Sequence, residues 1–108
     1  MRTDLNMRKG KMCSQAAHAS VKATIENLEH PCVKEWLNSA FTKVCVSVDS
    51  EEELWEISLA ASHAGIITAS IIDSGRTEFH DIPTFTCIAI GPALDEEIDK
   101  ITGHLKLL

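Results

Sequence analysis

The sequence contains no tyrosine, and aromatic residues make up only 5% of its 108 residues. A surface on which nucleic-acid bases stack needs several exposed aromatic side chains, so a binding domain of that kind is disfavoured. No apolar run approaches the roughly 20 residues that span a bilayer. The first eleven residues are polar and charged and lack the apolar segment of a secretory signal. We therefore expect a cytoplasmic protein that does not enter a membrane.

Sequence motifs for metal ions and nucleotides are also missing. The four cysteines, Cys13, Cys32, Cys45 and Cys87, lack the CxxC spacing of a zinc or redox site. Without an export signal, free thiols are expected rather than disulfides. No GxGxxG, P-loop, HExxH or GxSxG pattern occurs, and the histidines have no ligand-like spacing. We therefore predict neither a metal nor a cofactor.

Positive charge is scarce overall but is concentrated at one end of the chain. Ten Lys and Arg residues stand against 16 Asp and Glu residues, a formal net charge of −6. That balance argues against a strongly basic nucleic-acid-binding surface. Residues 1–11 nevertheless hold four cations against one acid, a local charge of +3, which leaves −9 for the rest. This segment either holds a phosphate backbone or is solvated charge.

The spacing of apolar residues predicts one domain, residues 1–108, in which helices and strands alternate. Ser50 and Glu53 form a capping-box pattern at the start of one helix. Alternation favours an α/β layer structure with a mostly parallel sheet. The connection 73–84 is too short for a helix, so the strands it joins are antiparallel or merely neighbours. Helices are expected at 11–29, 32–40, 51–64 and 94–103, and strands at 2–5, 41–48, 66–72 and 85–90.

The first predicted helix carries a stripe of polar side chains. Lys11, Gln15, His18 and Lys22 are spaced four, three and four residues apart. At 100° per residue these four side chains fall within a stripe roughly 60° wide. The stripe is either part of a functional site or an ordinary solvated helix face.

A second candidate is the segment Asp73-Ser74-Gly75-Arg76-Thr77, which directly follows the most apolar predicted strand. Ligands of open α/β sheets bind beyond the carboxyl ends of strands, so an acid, a cation and a hydroxyl there suit a polar site. The alternative is a β-turn in which Gly75 takes a positive φ and Arg76 pairs with Asp73.

Four blocks of the sequence together resemble the type 2 peptidyl-tRNA hydrolase family over essentially the whole chain. The resemblance implies a three-layer α/β/α sandwich on a four-stranded mixed, mostly parallel sheet, and a homodimer. Its first strand is expected to be shortened, because family members carry an apolar run where this sequence has only Met1. The blocks are Arg2-Thr3-Asp4-Leu5 with Met7, Gly10, Lys11, Gln15 and His18-Ala19; Asp73-x-Gly75-Arg76-Thr77; Ile88-Ala89-Ile90-Gly91-Pro92; and Ile98 to Leu107.

The resemblance also implies an activity, hydrolysis of the ester that joins a peptide to tRNA. Such hydrolysis needs a positioned water, a proton acceptor and donors for the developing oxyanion. Asp73 suits the acceptor or the water-orienting group, and Lys11 suits stabilisation of negative charge. The implied catalytic residues are Lys11, Gln15, Asp73, Thr77 and, counting back from Gly91, Thr86, with His18 on the same stripe.

The cations of this sequence that we expect to contact peptidyl-tRNA, the implied substrate, are Arg2, Arg8, Lys9, Lys22 and Arg76. A non-catalytic relative that binds tRNA or a protein partner is the alternative function. Loss of Lys11, Asp73 or Thr77 would have favoured that alternative, and all three are present. A small regulatory or scaffolding domain is a third and weaker possibility.

Overall fold

A computed structural model describes residues 1–108 and contains four helices and one sheet. All four predicted helices and the last two predicted strands are present, with ends shifted by up to four residues. No helix combines the length and the apolar character needed to cross a membrane. The elements are α1 (Lys9–Ile25), α2 (Pro31–Leu37), α3 (Glu51–His63), β1 (Thr68–Asp73), β2 (Thr84–Ile90) and α4 (Asp95–Thr102).

The predicted four-stranded, mostly parallel sheet, and with it the three-layer sandwich, is wrong. The sheet has two strands, and β1 and β2 run antiparallel, from Thr68 opposite Ile90 to Asp73 opposite Thr84. The connection between them, 74–83, is too short for the helical crossover that a parallel pair requires. Of the two arrangements left open for these strands, antiparallel pairing is the one observed.

The segment 2–5, predicted to be a strand, is reduced to a single bridge. Arg2 pairs in parallel with Val48, and no neighbouring residue continues the ladder. The chain turns immediately afterwards: Asn6 takes a φ of 53°, and its N–H donates to the Thr3 carbonyl. Because the turn carries the backbone away from Val48, only one residue can pair there.

The segment 41–48 also fails to form the predicted strand. Phe41 adopts a φ of 60°, a left-handed conformation that bends the chain rather than extending it. Val44, Val46 and Val48 alternate in the sequence as on one face of a strand, but Val44 is 68% exposed, so they do not form one buried face. Only Val46 and Val48 make bridges, one antiparallel to Leu107 and one parallel to the N-terminal segment.

The buried core lies between the sheet and α3. Its centre is formed by Val48, Leu54, Ile57 and Phe85. The ring of Trp55 packs 4.6 Å from that of Phe85, measured between centroids. Full burial of one such aliphatic or aromatic side chain contributes roughly 1.5–3 kcal/mol. This packing fixes β2, the strand that carries one wall of the site described below.

Helix α3 begins at the predicted residue, Glu51, and ends at His63, one residue before the predicted end. The Ser50 hydroxyl accepts a hydrogen bond from the Glu53 N–H at 3.1 Å, which is one half of the capping box. The Glu53 carboxylate reaches back to the N–H of Asp49 rather than to that of Ser50. Gly65 follows the helix with a φ of 74°, a conformation that its missing Cβ permits.

Helix α1 packs across both strands through small side chains. Ala19 and Ala23 are buried on its inner face, together with the longer Gln15. The Cys87 thiol of β2 donates to the Gln15 carbonyl, with a distance of 3.3 Å between sulfur and oxygen. This packing brings the polar stripe of α1 next to the carboxyl end of β1, where Asp73 lies.

Candidate active site

The polar stripe of α1 and the carboxyl end of β1 meet at an ion pair. Lys11 Nζ lies 2.8 Å from Asp73 Oδ1 and also donates to the Thr77 hydroxyl at 2.8 Å. The Lys11 and Asp73 side chains are only 12% and 13% exposed. Two candidate groups that are 62 residues apart in the sequence therefore form one site.

Three donors surround the carboxylate of Asp73. Oδ1 accepts from Lys11 and from Gln15 Nε2 at 3.2 Å, and Oδ2 accepts from the Gly75 N–H at 2.9 Å. The Lys11 hydrogen bond is the largest cause that lowers the pKa of Asp73 below its ordinary value. Partial burial acts in the opposite direction and is outweighed. The carboxylate is therefore ionised throughout the neutral pH range.

Thr86 extends the same hydrogen-bond network into the protein interior. Its hydroxyl is buried and donates to Gln15 Oε1. The register of the sheet shifts between Ile71 and Ile72, which leaves Thr86 as the extra residue of a β-bulge on β2. A bulge re-aims a side chain, and here it directs the hydroxyl towards α1. The Gln15 amide is therefore held at its oxygen by Thr86 and at its nitrogen by Asp73.

Five of the six residues predicted to be catalytic lie in this one network. The remaining one, His18, is exposed on α1, and its side chain makes no hydrogen bond to the others. Spacing alone placed His18 on the stripe, but the loop after β1 reaches only the first turns of the helix. The network runs in the order Thr86, Gln15, Asp73, Lys11 and Thr77.

Arg2, one of the cations predicted to contact tRNA, is buried and fully engaged by the protein itself. Its guanidinium makes two hydrogen bonds to the Asp4 carboxylate, at 3.0 and 2.7 Å. A third hydrogen bond, at 2.9 Å, goes to the Phe85 carbonyl. The Arg2 hydrogen bond also lowers the pKa of Asp4. Arg2 therefore ties the N-terminal segment to β2.

The other predicted tRNA-contacting cations have exposed side chains. Arg8 and Lys9 lie at the start of α1, and Arg76 lies in the loop after β1. Lys22 is further along α1 and donates to the Ser70 carbonyl at 3.0 Å. Arg76 does not pair with Asp73, which is occupied by Lys11. Of the β-turn alternative for residues 73–77, only the positive φ of Gly75, 84°, is observed.

Sequence reasoning missed two residues that border the site. The carboxylate of Glu78 contacts Arg8, and the ring centroid of Phe79 lies 5.6 Å from Lys11 Nζ. Neither residue belongs to a spacing pattern. Their only signal is their position one and two residues after Thr77, so whatever positions Thr77 also brings them close to α1.

Substitution of Gly75 by alanine is expected to lower the free energy of unfolding by about 2–4 kcal/mol. An added Cβ would lie 2.6 Å from the Ile82 nitrogen and 2.7 Å from its carbonyl carbon, at a φ of 84°. Gly65→Ala is the matched control, because Gly65 has a φ of 74° but nothing within 4 Å of the added atom. Urea denaturation should show the larger loss for Gly75→Ala, and equal losses would contradict the close approach.

An ionised carboxylate held between an ammonium, an amide and a backbone N–H, with two hydroxyls bound to that network, is a candidate hydrolytic site. The comparisons with known proteins specify the family. The profile described as "Peptidyl-tRNA hydrolase PTH2" matches residues 1–108. The chain therefore belongs to the peptidyl-tRNA hydrolase PTH2 family, as the four sequence blocks predicted.

Three archaeal proteins named peptidyl-tRNA hydrolase are similar over more than nine-tenths of their length. The one from Thermococcus onnurineus is 46% identical over 112 residues, covering 100% of this chain and 92% of its own. The one from Methanocaldococcus jannaschii is 46% identical over 110 residues, with coverage of 100% and 95%. The one from Halobacterium salinarum is 46% identical over 106 residues, with coverage of 98% and 93%.

Proposed function

We propose that the protein is a peptidyl-tRNA hydrolase that cleaves the ester between a peptide and tRNA and so returns tRNA to translation. The observation that carries this proposal is the network of Lys11, Gln15 and Asp73 in a chain of this family. Its place of action would be the cytoplasm. Residues 1–108 would form one catalytic domain.

In the proposed reaction, Asp73 acts mainly as an orienting group. All three of its hydrogen bonds come from the protein, and its lowered pKa makes it a weak proton acceptor. Catalysis would then come chiefly from positioning the attacking water and from donors that stabilise the oxyanion. Lys11 is the strongest of these donors, because it carries a full positive charge in a largely desolvated place.

Gln15, Thr77 and Thr86 would complete the site as positioning groups. Thr77 accepts a hydrogen bond from Lys11, so its own hydroxyl proton is available to a water or to the ester carbonyl. Thr86 holds Gln15 Oε1, which leaves the Gln15 amide nitrogen directed at Asp73. His18, exposed on the same face of α1, would contact substrate rather than take part in the network.

Contacts with the tRNA backbone are proposed for Arg8, Lys9, Lys22 and Arg76. Their exposed cationic side chains lie on or directly beside α1 and in the loop that follows Asp73. Because the chain as a whole has a net charge of −6, phosphate binding would be local and strongly dependent on salt. Arg2 is left out of this set because its guanidinium is buried in contacts with the protein.

A homodimer is proposed for the assembly. Val21 and Ile25 are exposed on the outer face of α1, and Leu28 extends the same apolar stripe into the turn that follows. Exposed apolar stripes of this kind are typical of association surfaces. Sedimentation equilibrium should give twice the mass of one chain, and Val21→Glu should shift the distribution towards the monomer. A monomer at all concentrations would contradict the dimer.

The enzyme and the non-catalytic relative are distinguished by an assay with N-acetylated aminoacyl-tRNA. We expect release of free tRNA with turnover, and slower release as salt rises. The matched control is the N-acetylated amino acid ethyl ester, which has the same ester chemistry but no phosphates and should be a much poorer substrate. Salt-dependent binding of tRNA without turnover would instead support the non-catalytic binding protein.

A further inference from the structure

Three consecutive loop residues contact the first turn of α1. Thr77 accepts from Lys11, and the ring of Phe79 lies beside the same ammonium group. Between them, Glu78 places its carboxylate against Arg8: Oε2 is 3.4 Å from the Arg8 backbone nitrogen, and Oε1 is 3.9 Å from its Nε. The loop after β1 is thus held to the helix by contacts on both sides of Glu78.

The Glu78 carboxylate contacts the N–H of the N-cap residue, as the acid at the third helical position of a capping box normally does. Arg8 is the N-cap residue of α1, its own side chain makes no capping hydrogen bond, and the first turn contains no acid. A carboxylate at this end of a helix is stabilised by the unpaired N–H groups and by the helix dipole. The acid supplied from the loop is 23% exposed, whereas the Arg8 side chain is 91% exposed.

The location of this carboxylate matters because of the charges around it. It lies next to Arg8 and directly between Thr77 and Phe79, both of which contact Lys11. A polyanion that approaches the site would meet the negative charge of Glu78 and the positive charge of Arg8, which Glu78 partly neutralises. Glu78 makes no hydrogen bond to Lys11, Gln15 or Asp73, so it is not part of the catalytic network.

We propose that Glu78 is a positioning residue that sets the affinity for tRNA, because its carboxylate competes with a substrate phosphate for Arg8 at the start of α1. This inference rests on the proposed function, since the competing phosphate belongs to tRNA. The exposed ion pair is weak enough to be exchanged during binding. Glu78 lowers the affinity for tRNA in exchange for holding Arg8 and the loop in place before substrate arrives.

The substitution E78Q tests this proposal, because glutamine keeps an oxygen that accepts from the Arg8 N–H but removes the charge. We expect the Kd for deacylated tRNA and the KM for N-acetylated aminoacyl-tRNA to fall roughly two- to fivefold at low salt. The slope of log affinity against log salt should steepen by about one unit, and kcat should stay unchanged. In an R8Q background, E78Q should lower Kd by much less than it does with Arg8 present, because competition for Arg8 is gone and only direct repulsion remains.

The matched control is E29Q, which makes the same change of charge in a pair remote from the site, where Glu29 lies 3.0 Å from Lys34. The proposal is overturned if E78Q and E29Q give the same Kd and salt slope, or if E78Q lowers kcat without changing Kd. A purely structural clamp would change the unfolding free energy but not the salt slope. If the wild type binds tRNA without cleaving it, the proposed function fails while the Kd comparison still decides the role of Glu78.

Discussion

Replacing Asp73 with asparagine should lower kcat for peptidyl-tRNA by about 10²- to 10⁴-fold while the protein stays folded. Lys11, Gln15 and the Gly75 N–H donate to the two carboxylate oxygens from opposite sides. An asparagine amide can accept hydrogen bonds only at its oxygen. Whichever way the amide is turned, its NH₂ group therefore faces a donor, either the Gly75 N–H or Lys11 and Gln15. The substitution also removes the negative charge that holds the ammonium of Lys11 in place.

The control for this substitution is Asp81→Asn, which makes the same change of charge in the loop that follows β1. Asp81 is exposed and takes a φ of 63°, a conformation that asparagine tolerates well. Its kcat should equal that of the wild type. Circular dichroism and urea denaturation of both variants would show whether a loss of rate comes from the site or from unfolding. Full activity of a folded Asp73→Asn protein would contradict the proposed role of Asp73.

Lys11→Ala should reduce kcat by at least about 10²-fold and also destabilise the fold by about 1–3 kcal/mol. The loss of rate follows from removing the donor proposed for the oxyanion. The loss of stability follows because Asp73 would keep its charge in a place that is only 13% exposed, without its counter-ion. Lys100→Ala is the control, because Lys100 is exposed on α4 and makes no ion pair. Its stability and kcat should match those of the wild type.

The stability difference between wild type and Lys11→Ala should depend on pH in a definite direction. Because the folded protein lowers the pKa of Asp73, the ionised carboxylate contributes stability above its unfolded pKa of about 3.9. That contribution is lost as the pH falls through the folded pKa. Lys11 is the largest cause of the lowering, so the difference should be greatest near neutral pH and should shrink below about pH 4. A difference that grows on acidification would contradict the ion pair.

Local signals in the sequence predicted the helices well, but they did not predict the sheet. The capping box of Ser50 and Glu53, which acts within a few residues, marks the start of α3. Strand pairing depends instead on hydrogen bonds between distant segments, and composition does not reveal them. The segment 41–48 has the valine alternation of a strand, yet the left-handed turn at Phe41 and its bridges to two different partners leave it unpaired along most of its length.

The candidate site was easier to anticipate than the sheet, for a physical reason. Helical spacing fixed the stripe that contains Lys11 and Gln15, and the residues after β1 lie at a strand end, whichever way the strand is paired. Thr86 could be reached only through the family resemblance, because the bulge that aims its hydroxyl has no marker in the sequence. The prediction for Arg2 failed because a charge count cannot distinguish a cation that faces solvent from one that is buried. The Arg2 guanidinium is buried against the Asp4 carboxylate.

The most direct test of the whole account is the single-turnover rate constant for cleavage of N-acetylated aminoacyl-tRNA at saturating protein concentration. Saturation removes differences in tRNA affinity, so the rate constant reports the ester-cleaving step alone. The account predicts cleavage by the wild type far above the rate in buffer, and a rate for Asp73→Asn at least about 10²-fold lower. Cleavage at the buffer rate by wild-type protein that binds the tRNA, or equal rates for the two proteins, would contradict it.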